Sequence, residues 1–460
     1  MTPAEGVEAP GLKKTLLGRH VEMIAIGGII GAGLFVGSST AITAVGPAIV
    51  ISYALAGLVI LCVMRMLGEM ATAYPEVGSF TEYARLSLGS WAGFTCGWLY
   101  WYFWAVVVAI ETIAGSTLLH QWIAVPQWML ALGLLVSMTG VNLMSTRSYG
   151  EFEFWFASLK VAAILAFIAI TGGYVFGLLS PRGPDFSNLW RYEFMPFGVK
   201  SVLAGVTTVI FALCGPEIAT IAAAETPNAA PIISKLTINV AVRIALFYVC
   251  SIALIVCVVP WVSIKSGFSP FTAALQVIHV PVAALVMDLV VLVAVLSCLN
   301  SGLYVTSRVL FTLSRHGDAP RALVVLNRRA VPARAILFGS LCGYGGVIAS
   351  IVSPQTAFAF LVNASGATMI IIYLIITFAQ IRLRRQLEAE APQRLQVRMW
   401  WFPWLSYATL IAMVAVLIAM ALIPAHQAEF SASLLVAGFV LGCYFTLRRT
   451  ARLGLVGGIS

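Results

Sequence analysis

The chain has 460 residues, 60% of them hydrophobic and only 10% charged, with a formal net charge of +9. A soluble domain carries roughly 25% charged residues, so a chain this long and this apolar reads as a polytopic membrane protein. The positive balance does not imply nucleic-acid binding, because the basic residues are distributed as a membrane topology distributes them.

A hydrocarbon core needs about 20 apolar residues per helix. By that measure the chain holds about twelve spans, near 22–46, 48–72, 92–119, 126–146, 152–178, 198–224, 238–261, 282–308, 335–353, 356–380, 403–423 and 431–447. Residues 1–20 are polar, and the apolar run that follows is far longer than a signal-peptide core, so no cleavable signal is expected.

Span 1 is interrupted by Gly27-Gly28-Ile29-Ile30-Gly31-Ala32-Gly33-Leu34-Phe35. Glycine inside a membrane helix frees backbone N–H and C=O groups, which survive in lipid only where they line a cavity or meet a ligand. Span 2 carries Glu69 near its inner end, close in sequence to Arg65. Glu69 and its counterpart Glu225, close to Lys235, read as cytoplasmic gate or packing residues. Span 3 contains an aromatic run from Trp98 to Trp104, read as a membrane-interface belt. Glu111 lies mid-span beyond it, placed to meet a substrate ammonium or a cation.

Span 5 carries Lys160 about two turns inside an apolar helix. Such an ammonium is costly and marks function by default, and burial disfavours its charged form, which suits proton exchange. Span 6 is interrupted at Phe211-Ala212-Leu213-Cys214-Gly215-Pro216-Glu217. Two broken spans at corresponding places in two halves are a sequence pointer to a transporter's binding site. Glu217, just past the break, reads as a gate or as a cap for freed backbone. Span 8 brings Ser297 and Asn300, with Asp288 a structural charge near its outer end.

If spans 1–5 form one unit and spans 6–10 another, each opens with its broken helix. Five is odd, so the second unit lies upside down relative to the first. The expected division is a cytoplasmic N-terminus (1–20) and a core of two repeats (about 21–178 and 198–382). A cytoplasmic loop (383–400), two further spans (401–447) and a cytoplasmic C-terminus (448–460) follow. Of the 27 Lys and Arg, only Arg182, Arg191, Lys200 and Lys265 fall on the outer side and Lys160 within the membrane, which places both termini in the cytoplasm.

The eight cysteines lie in or beside spans without CxxC spacing and read as small buried hydrophobes. The five histidines, His20, His120, His279, His316 and His426, lie near span ends in no metal spacing, so neither a metal, a cofactor nor an enzyme is expected. A channel filter uses symmetric rings, which two unlike breaks do not supply.

The motif Gly31-Ala32-Gly33-Leu34-Phe35 resembles the first-helix motif of the amino acid–polyamine–organocation transporters. Gly68-Glu69-Met70 with Tyr74-Pro75 and Gly78-Ser79-Phe80, Tyr149-Gly150-Glu151-Phe152-Glu153-Phe154-Trp155, Ala222-Ala223-Ala224-Glu225, and Ser314-Arg315 with Gly317-Asp318-Ala319-Pro320 extend the likeness over nearly the whole chain. Within that family, Leu34-Phe35-Val36-Gly37-Ser38-Ser39 and Ser297-Cys298-Leu299-Asn300-Ser301 look like the bacterial GABA permease branch. Gly33 and Pro216 depart from that branch, where a serine and a small residue are expected.

The resemblance implies an all-α, LeuT-like 5+5 inverted repeat with discontinuous helices 1 and 6, embedded in the bacterial inner membrane. It implies proton symport of a small zwitterionic amino acid, first 4-aminobutanoate (GABA). Proline, β-alanine, a sodium-coupled or exchange mode, and a sensor or channel are the alternatives. The substrate carboxylate would lie at Ile30, Gly31, Ala32 and Gly33, and its ammonium at the carbonyls of Phe211, Ala212 and Leu213, beside Gly215. Phe211 and Glu217 would gate. Lys160, with Ser297 and Asn300 opposite, would stand where sodium-coupled relatives hold a cation. The partners are the amino acid, protons and membrane lipid, and a monomer suffices for transport.

Overall fold

The structure is a computed structural model that describes residues 30–75, 77, 79–144, 146–180, 183–217, 239–327 and 331–456. The sequence features at Gly27–Ile29, at 218–224 and at Ala222–Glu225, together with Lys235, lie outside the described residues. The helices are α1 (Ala32–Phe35), α2 (Gly37–Val45), α3 (Ile49–Ala73), α4 (Phe80–Leu88) and α5 (Ser90–His120). Next come α6 (Gln127–Asn142), α7 (Thr146–Val175), α8 (Gly198–Leu213), α9 (Ser251–Val258, after a π-helical turn at Ile244–Cys250) and α10 (Pro270–Val277). The chain ends with α11 (Pro281–Arg315), α12 (Ala333–Val352), α13 (Pro354–Glu390), α14 (Trp404–Leu422) and α15 (Gln427–Val456).

Among the described residues, eight helices are long and apolar enough to cross a membrane, and Ala32–Val45, Gly198–Leu213 and Ala333–Ala349 are shorter apolar helices. With α6 they coincide with all twelve expected spans, and among the described residues there is no strand. Two of the stretches expected as loops contain short helices, α4 and α10. Helix α13 also runs on through Glu390, into the stretch expected as loop. Its last turns are amphipathic: Leu383 and Leu387, four residues apart, are buried, and Arg384 bonds Glu388 at 2.8 Å. Hydropathy does not report a helix of that kind, but the 3.6-residue period does.

Helix α5 runs through the centre and packs against α4, α6, α11, α12 and α13. This overturns the interface-belt reading for Tyr100, Phe103 and Trp104, which are buried, while Trp98, Trp101 and Tyr102 are half-buried. Glu69, expected as a gate or packing residue, makes a packing contact. Its carboxylate is buried and accepts bonds from Gln380 Nε2 (2.8 Å), the Arg384 guanidinium and the Met399 N–H, tying α3 to α13 and the following loop. Arg65 donates to the Arg398 carbonyl.

Among the described glycines, Gly366 has the closest backbone neighbour, where α13 meets α8. A Cβ at Gly366 would stand 2.0 Å from the Thr207 carbonyl oxygen and 2.8 Å from its carbon, which are backbone atoms that cannot rotate away. Overpacking a well-filled core costs about 1–3 kcal/mol, more where backbone must move. Gly366→Ala is therefore expected to lower the melting temperature of the detergent-solubilised protein by several degrees. An unchanged melting curve would show that α8 and α13 part freely.

Candidate functional site

Two helix ends and one buried polar chain meet at the centre of the bundle. Gly31 is extended (φ −134°, ψ −153°) and precedes α1, so the first N–H groups of that helix have no carbonyl one turn back. One of them is occupied. Ala32 N–H donates to both oxygens of Glu111, at 3.1 and 3.2 Å. The carboxylate expected to meet an ammonium thus faces main-chain donors, since the partial positive charge at a helix start attracts an anion. A side chain at Gly31 would crowd this contact, with its Cβ 2.7 Å from Glu111 Oε1 and from Cys298.

Opposite, α8 stops at Leu213. Pro216 has no N–H, so the Ala212 carbonyl lacks its usual donor four residues on. Gly215 takes φ +127°, a conformation that side chains disfavour, and turns the chain. Its N–H donates to both Glu217 oxygens at 3.1 Å. Tyr373 Oη donates to Glu217 at 3.3 Å and Tyr100 Oη at 3.5 Å. Glu217 therefore caps the broken helix and binds it to α5 and α13.

Between the two breaks, Gly31, Gly33, Phe103, Trp104, Glu111 and Phe211 surround about 20 Å³ of free space. That is room for a single water molecule, so an amino acid fits there only if the walls move. Phe211 packs on Phe103, ring centroids 6.2 Å apart, over this space. A Cβ at Gly33 would come 2.8 Å from Ala212 Cα, so glycine there lets α1 and α8 approach more closely than a serine would. Ile30 is buried beside them.

Lys160 is fully buried, which excludes a side chain reaching out to the membrane surface. Its Nζ donates to Ser297 Oγ at 2.6 Å, and Ser297 Oγ donates to Glu153 Oε1 at 2.6 Å. Lys160 Nζ and Glu153 Oε1 stand 3.8 Å apart. Asn300 does not join this group, because its Oδ1 accepts from Asn142 Nδ2 at 2.6 Å, tying α11 to α6. Asp288 accepts from Thr272 at 2.6 Å, a bond between α11 and α10 that suits the structural role expected of it.

Residues 20–453 match the family model described as "Amino acid permease". The chain belongs to the amino acid permease family. The permease is 46% identical to the gamma-aminobutyric acid permease of Bacillus subtilis (strain 168), over 95% of this chain and 94% of that one. It is 42% identical to the gamma-aminobutyric acid permease of Escherichia coli (strain K12), over 92% of each. The fold is shared with a crystal structure of the Eremococcus coleocola manganese transporter in complex with an aromatic bis-isothiourea substituted compound. That likeness has a TM-score of 0.59 at 12% identity, over 95% of this chain and 96% of that one.

Within the permease, Glu153 as the partner of Lys160, and Tyr100 and Tyr373 as the partners of Glu217, escaped the sequence reading. Glu153 left a signal: it lies seven residues before Lys160, two turns back on the same helix face. The tyrosines left none, since their pairing depends on how distant helices pack.

Proposed function

We propose that this permease is a secondary active transporter that imports GABA with protons by alternating access across the bacterial inner membrane, both termini in the cytoplasm. The observation that carries the reading is the contact between the Glu111 carboxylate and Ala32 N–H. It supports a carboxylate site at Ile30, Gly31, Ala32 and Gly33, where substrate takes the donors that Glu111 holds in this structure. The free carbonyl end of α8, around Phe211, Ala212, Leu213 and Gly215, suits the ammonium at the other end of the zwitterion. Phe211 and Glu217 form the gate that parts. Lys160 and Ser297 carry the proton coupling, a monomer suffices, and lipid is the only other partner. Identities above 40% to two GABA permeases favour GABA over other neutral amino acids.

Reconstituted permease is expected to accumulate labelled GABA when the lumen is alkaline. Unlabelled GABA should compete at least tenfold better than proline or β-alanine. Equal or better competition by another amino acid would reassign the substrate. Accumulation driven by a sodium gradient at equal pH would reassign the coupling ion.

A further inference from the structure

Several buried polar atoms lack a hydrogen-bond partner, Trp104 Nε1 and Glu153 Oε2 among them, and of these Glu153 is the carboxylate joined to Lys160. Glu153 is completely buried, and its Oε2 makes no hydrogen bond. A native protein retains a buried orphan of this kind at a cost, so such groups call for a use at another stage. The other oxygen ends a directional chain, in which Lys160 donates to Ser297 and Ser297 donates to Glu153. Both links are short, and the serine hydroxyl is acceptor in one and donor in the other. That is the arrangement along which a proton moves by exchange of partners rather than by travel of a carrier.

Direction comes from the helix. Glu153 is seven residues nearer the start of α7 than Lys160, about 10 Å along the axis at 1.5 Å per residue. With the N-terminus inside, the start of α7 is its cytoplasmic end. Glu111 faces Lys160 from α5, on the substrate side; from α11, Cys298 faces both members of the pair and Ser301 faces Glu153. Lys160 therefore stands between a carboxylate at the binding site and a carboxylate nearer the cytoplasm.

We propose that Glu153 is the proton-exit residue of this permease, receiving the proton of Lys160 through Ser297. Lys160 gives a proton to Ser297 Oγ as the Ser297 hydroxyl passes its own to Glu153. One N–H and one O–H bond break, two O–H bonds form, and an ion pair becomes a neutral amine and a neutral carboxylic acid. Glu153 then gives its proton to water entering from the cytoplasmic end, and Lys160 is reprotonated from the substrate side. The inference rests on the proton-coupled reading of Lys160 and assigns the group beyond it.

The test uses the full-length protein in proteoliposomes with a lumenal pH dye and labelled GABA. Glu153→Gln and Ser297→Ala are expected to cut accumulation driven by a pH gradient at least tenfold and to flatten its pH profile. GABA-induced lumenal acidification should vanish in both, while counterflow of labelled against unlabelled GABA continues. Ser297→Thr, which keeps a hydroxyl, should restore acidification. Accumulation and a pH profile like the parent's in Glu153→Gln would remove Glu153 from the path even if Lys160 proves essential. Loss of counterflow together with accumulation would show a structural ion pair only, and failure of Ser297→Thr to rescue would break the relay. If Lys160 itself proves dispensable, the coupling reading fails first, and the two failures are distinguishable.

Discussion

Lys160→Ala is expected to reduce GABA accumulation driven by a pH gradient to unity, while exchange of labelled for unlabelled GABA persists. A gradient of about two pH units stores about 2.7 kcal/mol per proton, enough for roughly hundredfold accumulation at one proton per substrate. The whole of that gain is therefore at stake. The geometry explains why exchange survives. Lys160 donates to Ser297 and pairs with Glu153, neither of which lines the space between Ala32 and Phe211, and Glu111 and Cys298 stand between Lys160 and that space. Breaking a buried ion pair usually costs about 3–5 kcal/mol because the remaining charge is stranded. Here the remaining group is a carboxyl, which escapes that cost by taking up a proton, so the variant should still fold. Concentrative uptake equal to the parent's at every pH would remove Lys160 from the mechanism.

The parts of this architecture that depend on composition and period were legible in the chain. Among the described residues each of the twelve apolar runs is helical, because a segment of that length in lipid must satisfy its backbone groups within itself. The break after Leu213 was legible because Pro216 removes a donor wherever it lies in a helix. Lys160 was legible because a lone ammonium between Phe156 and Val161 has no cheap explanation. What escaped depends on three-dimensional neighbours. Glu111 was expected at an ammonium, yet it lies on the Ala32 N–H because α5 passes the start of α1. Asn300 has the right chemistry for Lys160 and lies three residues from Ser297, yet the 100° turn per residue aims it at Asn142. Aromatic residues at Phe103 and Trp104 look the same in sequence whether they face headgroups or substrate. Only the central position of α5 shows that these two are buried and line the space between the two breaks.

Gly31→Ala tests the carboxylate site. The backbone at Gly31 is extended (φ −134°, ψ −153°), which alanine adopts without strain. Any effect must therefore come from the added methyl group. That group would stand 2.7 Å from Glu111 Oε1 and 2.7 Å from Cys298 Cβ and Sγ, against an ordinary contact of about 3.5–4.0 Å. Glu111 Oε1 and Cys298 Sγ can rotate away, but Cys298 Cβ moves only with the backbone of α11, so α1 and α11 must part slightly. The methyl then occupies the space through which an anion reaches Ala32 N–H, and it does so for Glu111 and for substrate alike. The expected result is a KM for GABA raised at least tenfold, which is about 1.4 kcal/mol of lost binding. Gly133→Ala serves as the control, since a Cβ there meets nothing within 4 Å, and its KM should match the parent's. A Gly31→Ala protein that takes up GABA with the parent's KM would mean that the carboxylate is held away from the start of α1. The role of the main-chain donors would then pass to side chains.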